Sequence, residues 1–363
     1  MTEPQIDDIY VRIARKITGT EKSEILPKIL KVMLTPVQAE LADTFPGVSE
    51  ELATKLGRDL ESVNKDLQYI GAIGIGTPSA RSGKWNLPRN WMRFFDKVGT
   101  HHKKFLASLG PEYIRLWNEL NEEQSYTTYS ELVKIRFRVM PAYYAIKDNP
   151  ELQVWESMEG LFSMAEKIAV VPCTCLLCNR EKSCNMHTDE VCFPLNRDAE
   201  YSVETGSGRY VTVEEAMKIT EHCERLGLLH IKPNVRGIVG LLCNAHADCC
   251  ELMRPFYEYG NNDPQWIVPS RYLAVVNDEL CDGCRLCATC SFGVISMMRN
   301  SEGKLKAVVD AGKCYGSGAC KLKCPSGAIT MKCVRPEEWV PRGLVMREGE
   351  SRDGPLYEKY AEL

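Results

Sequence analysis

The chain has 363 residues, of which 17 are cysteine, and its formal net charge is −4. This length is sufficient for two or three domains with a buried core, and the near balance of charges excludes a strong overall attraction to nucleic acid or to an anionic membrane. The N-terminal sequence lacks the basic start and the apolar run of a signal peptide, and no eighteen apolar residues run together, so we expect a cytoplasmic protein without a membrane span.

The first predicted domain, residues 1–98, has a pattern of short helices followed by a hairpin. Apolar residues recur at helical spacing, and Ser49 and Gly57 are expected to begin and end one short helix. A second helix is predicted from about Leu60 to Ile70, and the Gly, Pro and Ser residues after it predict a hairpin. This order resembles a winged helix-turn-helix domain. It indicates either a DNA-binding domain or a helical docking module.

The charges of the second helix argue against DNA binding. Asp59, Glu61 and Asp66 stand there against Arg58 and Lys65, which is poor material for neutralising phosphates. Only the hairpin and the later "HHKK" run add basic residues. DNA binding is therefore the weaker of the two interpretations.

Two other segments carry no functional motif. Residues 99–166 are predicted to be a helical connector, and their aromatic residues are of the kind that usually belongs to a core. Residues 336–363 are predicted to be a C-terminal tail. No site is expected in either segment.

The chain has seventeen cysteines, and in a reducing compartment they do not readily form disulfides. The middle segment, residues 167–265, is therefore predicted to be a cysteine-rich metal or cluster domain. A helix is predicted from Thr212, which forms a capping box with Glu215, to Gly227. Cys223 within this helix is expected to be a core residue. The other cysteines are expected to cluster around loops, and their spacings leave open an iron–sulfur cluster, a structural zinc site or cysteines packed in a core.

Residues 266–335 contain an internal repeat. The segments "VNDELCDGCRLCATCSFGVISM" and "VDAGKCYGSGACKLKCPSGAITM" align, each with cysteines followed by a short apolar strand. Their spacing resembles the bacterial two-cluster ferredoxin domain, in which a remote cysteine before proline binds the other cluster. A zinc ribbon has no use for the third cysteine of Cys-x2-Cys-x2-Cys. By this resemblance, one [4Fe-4S] cluster is bound by Cys281, Cys284, Cys287 and Cys324.

The same resemblance assigns a second cluster to Cys290, Cys314, Cys320 and position 317, where Ser317 replaces the usual cysteine. The "CATCS" loop is also one residue shorter than the usual Cys-x3-Cys-Pro. A serine hydroxyl is a hard ligand with a weakly acidic proton, so three cysteines remain, which is the number that a [3Fe-4S] cluster needs. We predict an altered second cluster, [3Fe-4S] or [4Fe-4S], rather than a vacant site.

Nearly the whole chain resembles a family of prokaryotic 4Fe-4S binding ferredoxin-like proteins. The expected fold class is α+β, with a helical winged-helix N-terminal region, a cysteine-rich middle domain and a C-terminal bacterial ferredoxin-like domain. Ala245 and His246 stand where the family is often richer in cysteine. Carried over from the family, the ligand candidates of the middle site, for an iron–sulfur cluster or zinc, are Cys173, Cys175, Cys184, Cys192, Cys243, Cys249 and Cys250.

The resemblance implies electron transfer, commonly in anaerobic metabolism. The chain has no Gly-x-Gly-x-x-Gly after a strand, no Gly-x4-Gly-Lys-Ser/Thr and no acid–base constellation, so no catalytic residue is predicted. We expect a protein that passes single electrons between donor and acceptor oxidoreductases, either alone or as a subunit of an oxidoreductase complex. The alternative is a redox-sensing transcription regulator whose iron–sulfur cluster controls a DNA-binding winged helix.

Overall fold

The computed structural model describes residues 8–18, 23–79, 82–88, 91–99, 102–123, 137–178, 190–238, 240–246, 249–253 and 267–343. The protein combines helices with several sheets and is α+β, as the sequence predicts. It divides into two compact units, each discontinuous in sequence. The first unit comprises residues 1–133, 172–181 and 204–207, and the second comprises residues 134–171, 182–203 and 208–363.

The elements are numbered in chain order. The helices are α1 (Asp8–Thr18), α2 (Leu26–Met33), α3 (Pro36–Asp43), α4 (Ser49–Leu56), α5 (Leu60–Ala72), α6 (Trp91–Gly99), α7 (His102–Glu123), α8 (Tyr143–Ile146), α9 (Met158–Met164), α10 (Thr174–Cys178), α11 (Arg197–Glu204), α12 (Val213–Arg225) and α13 (Ala319–Leu322). The strands are β1 (Thr77–Pro78), β2 (Trp85–Asn86), β3 (Phe137–Met140), β4 (Ala169–Pro172), β5 (Glu190–Pro194), β6 (Arg209–Tyr210), β7 (Leu229–Pro233), β8 (Leu241–Ala245), β9 (Ile267–Val268), β10 (Tyr272–Val276), β11 (Ile295–Arg299), β12 (Leu305–Val309) and β13 (Ile329–Cys333). None of the helices in the described ranges has both the length and the apolar character that a membrane span requires.

The first unit contains the predicted short helices and hairpin. Helix α4 has Val48 at its N-cap position, so Ser49 is its first helical residue and not the predicted cap. Gly57 ends α4 with a φ of 62°, as predicted. Helix α5 begins after Asp59, whose carboxylate accepts a hydrogen bond from the backbone N–H of Ser62 (2.7 Å), and β1 pairs with β2 after it.

The second unit is built around a seven-stranded sheet of order β6-β4-β5-β8-β7-β3-β9. Strand β9 pairs with β3 in parallel, whereas β3 with β7, β7 with β8, β8 with β5 and β4 with β6 pair antiparallel. A core that includes Met140, Phe162 and Phe193 lies on this sheet, where α9 packs against α12. Strand β3 lies within residues 99–166, for which the sequence predicts a helical connector. That prediction is wrong at this strand.

Helix α12 has most of the start and stop signals that the sequence predicts. The Thr212 hydroxyl accepts a hydrogen bond from the N–H of Glu215 (3.1 Å), and Gly227 follows the helix with a φ of 80°. The Glu215 carboxylate does not complete the predicted capping box but bonds to Arg209 (2.6 Å). Cys223 is fully buried in the helix, as expected of a core residue.

The internal repeat of the sequence is also a repeat in the structure. Strand β10 pairs with β13, and β11 pairs with β12, so each two-stranded sheet joins the first strand of one repeat to the last strand of the other. Equivalent backbone hydrogen bonds run from Asn277 N to Ala328 O (2.7 Å) and from Asp310 N to Val294 O (2.8 Å). The two repeats are therefore related by an approximate two-fold axis, and a loop at the end of one repeat lies beside the other.

One glycine in each repeat permits this close approach. A Cβ atom on Gly316 would lie 2.1 Å from the carbonyl oxygen of Tyr272, and a Cβ atom on Gly283 would lie 2.5 Å from that of Leu305. Both glycines have a positive φ. We expect Gly316→Ala to lower the free energy of unfolding by about 3 kcal/mol or more. Gly303→Ala, at a positive φ with open space, should cost only about 1 kcal/mol; equal losses in anaerobic urea titrations would contradict this account.

Candidate metal centre

The four predicted ligands of the first cluster line one cavity of about 280 Å³, counting the space open to solvent. These residues are Cys281, Cys284, Cys287 and Cys324. The first three belong to the loop between β10 and β11, and the fourth precedes β13, which the strand exchange brings beside that loop. Cys284 is exposed and Cys287 is buried. The convergence is a property of the fold, whereas binding of a cluster there stays a prediction.

Hydrogen-bond donors point at two of these sulfur atoms. The backbone N–H of Ala307 donates to Cys281 Sγ (3.5 Å), and Ser326 Oγ lies 3.6 Å from Cys324 Sγ. Burial alone would raise the pKa of Cys324, but hydrogen bonds from Ser326 and from backbone N–H groups, including that of Ala328, lower it below its usual value. Such donors stabilise the thiolate, which is the form that binds metals.

The thiols are close enough to affect one another. Burial, followed by the neighbouring Cys284, Cys281 and Cys324, raises the pKa of Cys287. Four thiolates at this spacing repel one another unless positive charge lies between them. Within the described ranges, no three His, Cys, Asp or Glu side chains are grouped so as to hold a single metal ion. The four cysteines stay candidate cluster ligands because of their spacing in the sequence and the cavity that they share.

A second group of cysteines lies in the same core. Cys314 and Cys320 are buried, and Cys290 packs against the cluster of apolar residues that contains them. Burial, with Cys290 and Cys314 nearby, raises the pKa of Cys320 to about 12. The fold therefore brings together the three cysteines that the sequence assigns to the second site.

The first repeat accommodates its shorter "CATCS" loop with a helix of a different type from that of the second repeat. Leu286–Thr289 is a 3₁₀-helix in the first repeat, whereas the equivalent α13 in the second repeat is α-helical. A 3₁₀-helix has three residues per turn instead of 3.6, so the turn closes with fewer residues. Cys290 thus stays beside Cys320 despite the missing residue.

Ser317 occupies the backbone position equivalent to Cys284. The residues on either side of each have left-handed backbone angles, with φ of 76° at Gly283, 70° at Arg285, 68° at Gly316 and 76° at Gly318. Ser317 is partly buried, whereas Cys284 is exposed. The second repeat therefore keeps the loop conformation of the first and changes the side chain at the ligand position.

A short helix that the sequence analysis missed packs on this second loop. The N–H of Ala142, just before α8, donates to the carbonyl of Ser317 (2.8 Å), and Lys321 Nζ donates to the carbonyl of Ala145 (2.6 Å). A Cβ atom on Gly318 would lie 2.8 Å from that of Ala145. No residue of α8 is a typical metal ligand, so only the three-dimensional contact reveals its role.

The predicted ligands of the middle site are only partly accounted for. Cys192 in β5 lies opposite Cys243 in β8, and both neighbouring cysteines after β8, Cys249 and Cys250, are buried. The other candidates are Cys173 and Cys175, which belong to the first unit, and Cys184, which lies outside the described residues. A cluster or zinc site with this full ligand set stays a prediction.

The helix predicted to enter a DNA groove has little free positive charge. Arg58 bonds to Asp66 (2.5 Å) and to Ser62 (2.7 Å). In the hairpin, Lys84 lies 3.9 Å from Glu51, and Arg81 lies outside the described residues. Arg58 and Lys84 therefore lie beside acidic side chains of the same chain and are poorly disposed to contact phosphates.

Comparison of the chain with protein families, with curated proteins and with solved structures found no match. The functional interpretation therefore rests on the residues and the geometry described above.

Proposed function

We propose that this chain is an iron–sulfur protein that passes single electrons between partner oxidoreductases. The observation that carries the proposal is the cavity lined by four cysteines, with a backbone N–H donating to Cys281 Sγ and a serine hydroxyl beside Cys324 Sγ. A [4Fe-4S] cluster bound there would supply one-electron chemistry. The surrounding residues would tune its potential through burial and hydrogen bonds to sulfur.

The exposure of the first site supports a role in contacts with partners. Cys284 is exposed at the edge of the cavity, and the side chains of Leu280 and Leu286 on the same loop are 54% and 50% exposed. Redox partners form small, transient contacts, for which a compact apolar edge is suitable. We propose that electrons enter or leave by this edge, whereas the site of Cys314 and Cys320 acts inside the protein.

Anaerobic purification tests the proposal. Iron and acid-labile sulfide are expected to exceed the content of one [4Fe-4S] cluster per chain, with broad visible absorption that bleaches in air. A single cluster with stoichiometric zinc would make the middle site structural. A chain that takes up no iron and sulfide after anaerobic reconstitution would contradict the proposed function.

The order of α4, α5 and the β1–β2 hairpin favours one alternative, a redox-sensing transcription regulator. A gel-shift experiment at physiological salt with genomic fragments separates the two functions. Because Arg58 pairs with Asp66 and Lys84 lies near Glu51, we expect only weak, non-specific binding. Specific retention that disappears when iron is removed would favour the regulator.

A further inference from the structure

Arg138, in β3, is a fully buried cation without a hydrogen-bond partner among the described residues. Its side chain is 0% exposed, and no acceptor within the described part of the chain bonds to Nε, Nη1 or Nη2 of its guanidinium. A buried charge loses its hydration, and in native proteins it is compensated by a paired group or a bound ion. Three donor nitrogens without a partner on one side chain therefore indicate an acceptor that the described part of the chain does not provide.

The surroundings of Arg138 are positively charged. Lys232 in β7 is its cross-strand partner and is also fully buried. The guanidinium groups of Arg138, Arg236 and Arg271 lie 5.6, 4.9 and 5.8 Å from the centroid of the Trp155 ring. Three guanidinium groups thus meet around one partly buried aromatic side chain, and their repulsion favours a bound anion.

The acidic groups nearby do not satisfy Arg138. Glu156 Oε1 accepts hydrogen bonds from Arg271 (3.0 Å) and from the hydroxyl of Tyr272 (2.8 Å). Its Oε2 has no partner among the described residues. Glu337 is partly exposed and lies 3.4 Å from Arg236. Two carboxylates therefore face three guanidinium groups, and neither of them bonds to Arg138.

Lys232 is also buried, but its hydrogen-bond acceptors come from the chain itself. Its ammonium group donates to the carbonyl oxygens of Val235 and Gly237 at 2.6 and 2.8 Å. Burial, and then the charge of Arg138, lowers its pKa well below the usual value. The loop after β7 thus turns its carbonyl groups to Lys232 and leaves Arg138 without an equivalent.

We propose that the guanidinium of Arg138 binds a small oxyanion, namely the carboxylate or phosphate group of a small molecule. A planar guanidinium presents paired donors that match two oxygen atoms of either group. The side chain of Arg236 is 15% exposed, so the site is open to solvent at this residue. None of the predicted cysteine ligands belongs to this site, so its test does not depend on the proposed electron transfer.

The test uses the full chain, purified anaerobically in a buffer free of phosphate and carboxylates. Sodium phosphate and sodium acetate are titrated separately at constant ionic strength, with thermal unfolding and calorimetry as readouts. We expect a saturable rise in Tm with one of the two anions, because a ligand that binds the folded state stabilises it. The responding anion identifies the class of ligand.

Arg138→Met is expected to weaken anion binding by about tenfold or more. Without anion, the variant should be at least as stable as the wild type, because the substitution removes an unmatched charge. The control is Arg225→Gln, which changes an exposed arginine paired with Glu221 and should leave the response intact. Equal responses in the wild type and Arg138→Met would overturn the proposal.

The remaining outcomes are also decisive. No saturable response of the wild type to either anion would mean that enclosed water solvates Arg138, and would overturn the proposal. If Arg138→Met does not fold, Arg236→Gln is tested instead. The partly exposed Arg236 side chain is expected to contribute to anion binding, so its replacement should weaken that binding. Unchanged affinity in that variant would count against the site.

Discussion

Replacement of Cys284 by alanine is expected to abolish the low-potential paramagnetic signal of the first cluster and to remove roughly one cluster of iron per chain. Cys284 is the exposed member of the four cysteines around the cavity. Without the thiolate of Cys284, the iron at this edge would lose a soft ligand and be exposed to water. Electron paramagnetic resonance of the anaerobically reduced protein, with iron analysis, measures both effects.

Cys223→Ala is the matched control for this experiment. Cys223 is fully buried in α12 and is not among the predicted ligands. Its replacement should leave every cluster in place and reduce the free energy of unfolding by about 1 kcal/mol through the small cavity that it creates. A signal that survives in Cys284→Ala, or that disappears in Cys223→Ala, would show that the ligand assignment is wrong.

Ser317→Cys is expected to add about one iron per chain and to convert a [3Fe-4S] signal of the oxidised protein into the properties of a [4Fe-4S] cluster. Ser317 has the backbone position of Cys284 between residues of positive φ, and serine and cysteine differ little in size. The new thiolate would therefore arise where the intact repeat has its ligand. The lack of a fourth thiolate at position 317 should shift the potential of the proposed second cluster away from that of the first, and the substitution should reduce this difference.

Ser301→Cys provides the control for an added cysteine. Ser301 is exposed in the turn between β11 and β12, away from the loops that carry the predicted ligands. Its substitution should change neither the iron content nor the resonance spectrum. A second site without iron in both the wild type and Ser317→Cys would contradict the proposed altered cluster.

The spacing of the C-terminal cysteines predicted which side chains the fold would gather, because their loops are short and repeated. Within each repeat the left-handed residues beside Cys284 and Ser317 fix the loop locally. The two-fold relation then places Cys324 beside the first loop and Cys290 beside the second. The loop conformations follow from local sequence, whereas the crossing of Cys324 and Cys290 between the repeats was predicted from the resemblance to two-cluster ferredoxins.

The sheet of the second unit and its charged interior were not predictable in the same way. Strands β3 and β7 are short, and they contain Arg138 and Lys232, both fully buried. Charged residues at buried positions disrupt the apolar pattern by which strands are recognised. The contact of Ala142 with Ser317 likewise joins residues far apart in sequence, and no local signal announces it.

The loop that carries Ser317 is held by protein contacts rather than by a metal. Its carbonyl groups accept hydrogen bonds from Ala142 and, at Gly316, from the hydroxyl of Ser270 (2.8 Å), while Gly318 fits closely against Ala145. The entropy of ordering this loop is therefore lost during folding and not during metal uptake. Zinc fingers, by contrast, unfold when their metal leaves. If the proposed second cluster is bound by Cys290, Cys314 and Cys320, we expect the loop at Ser317 to keep its conformation when an iron leaves, so that iron can be lost and regained there without refolding.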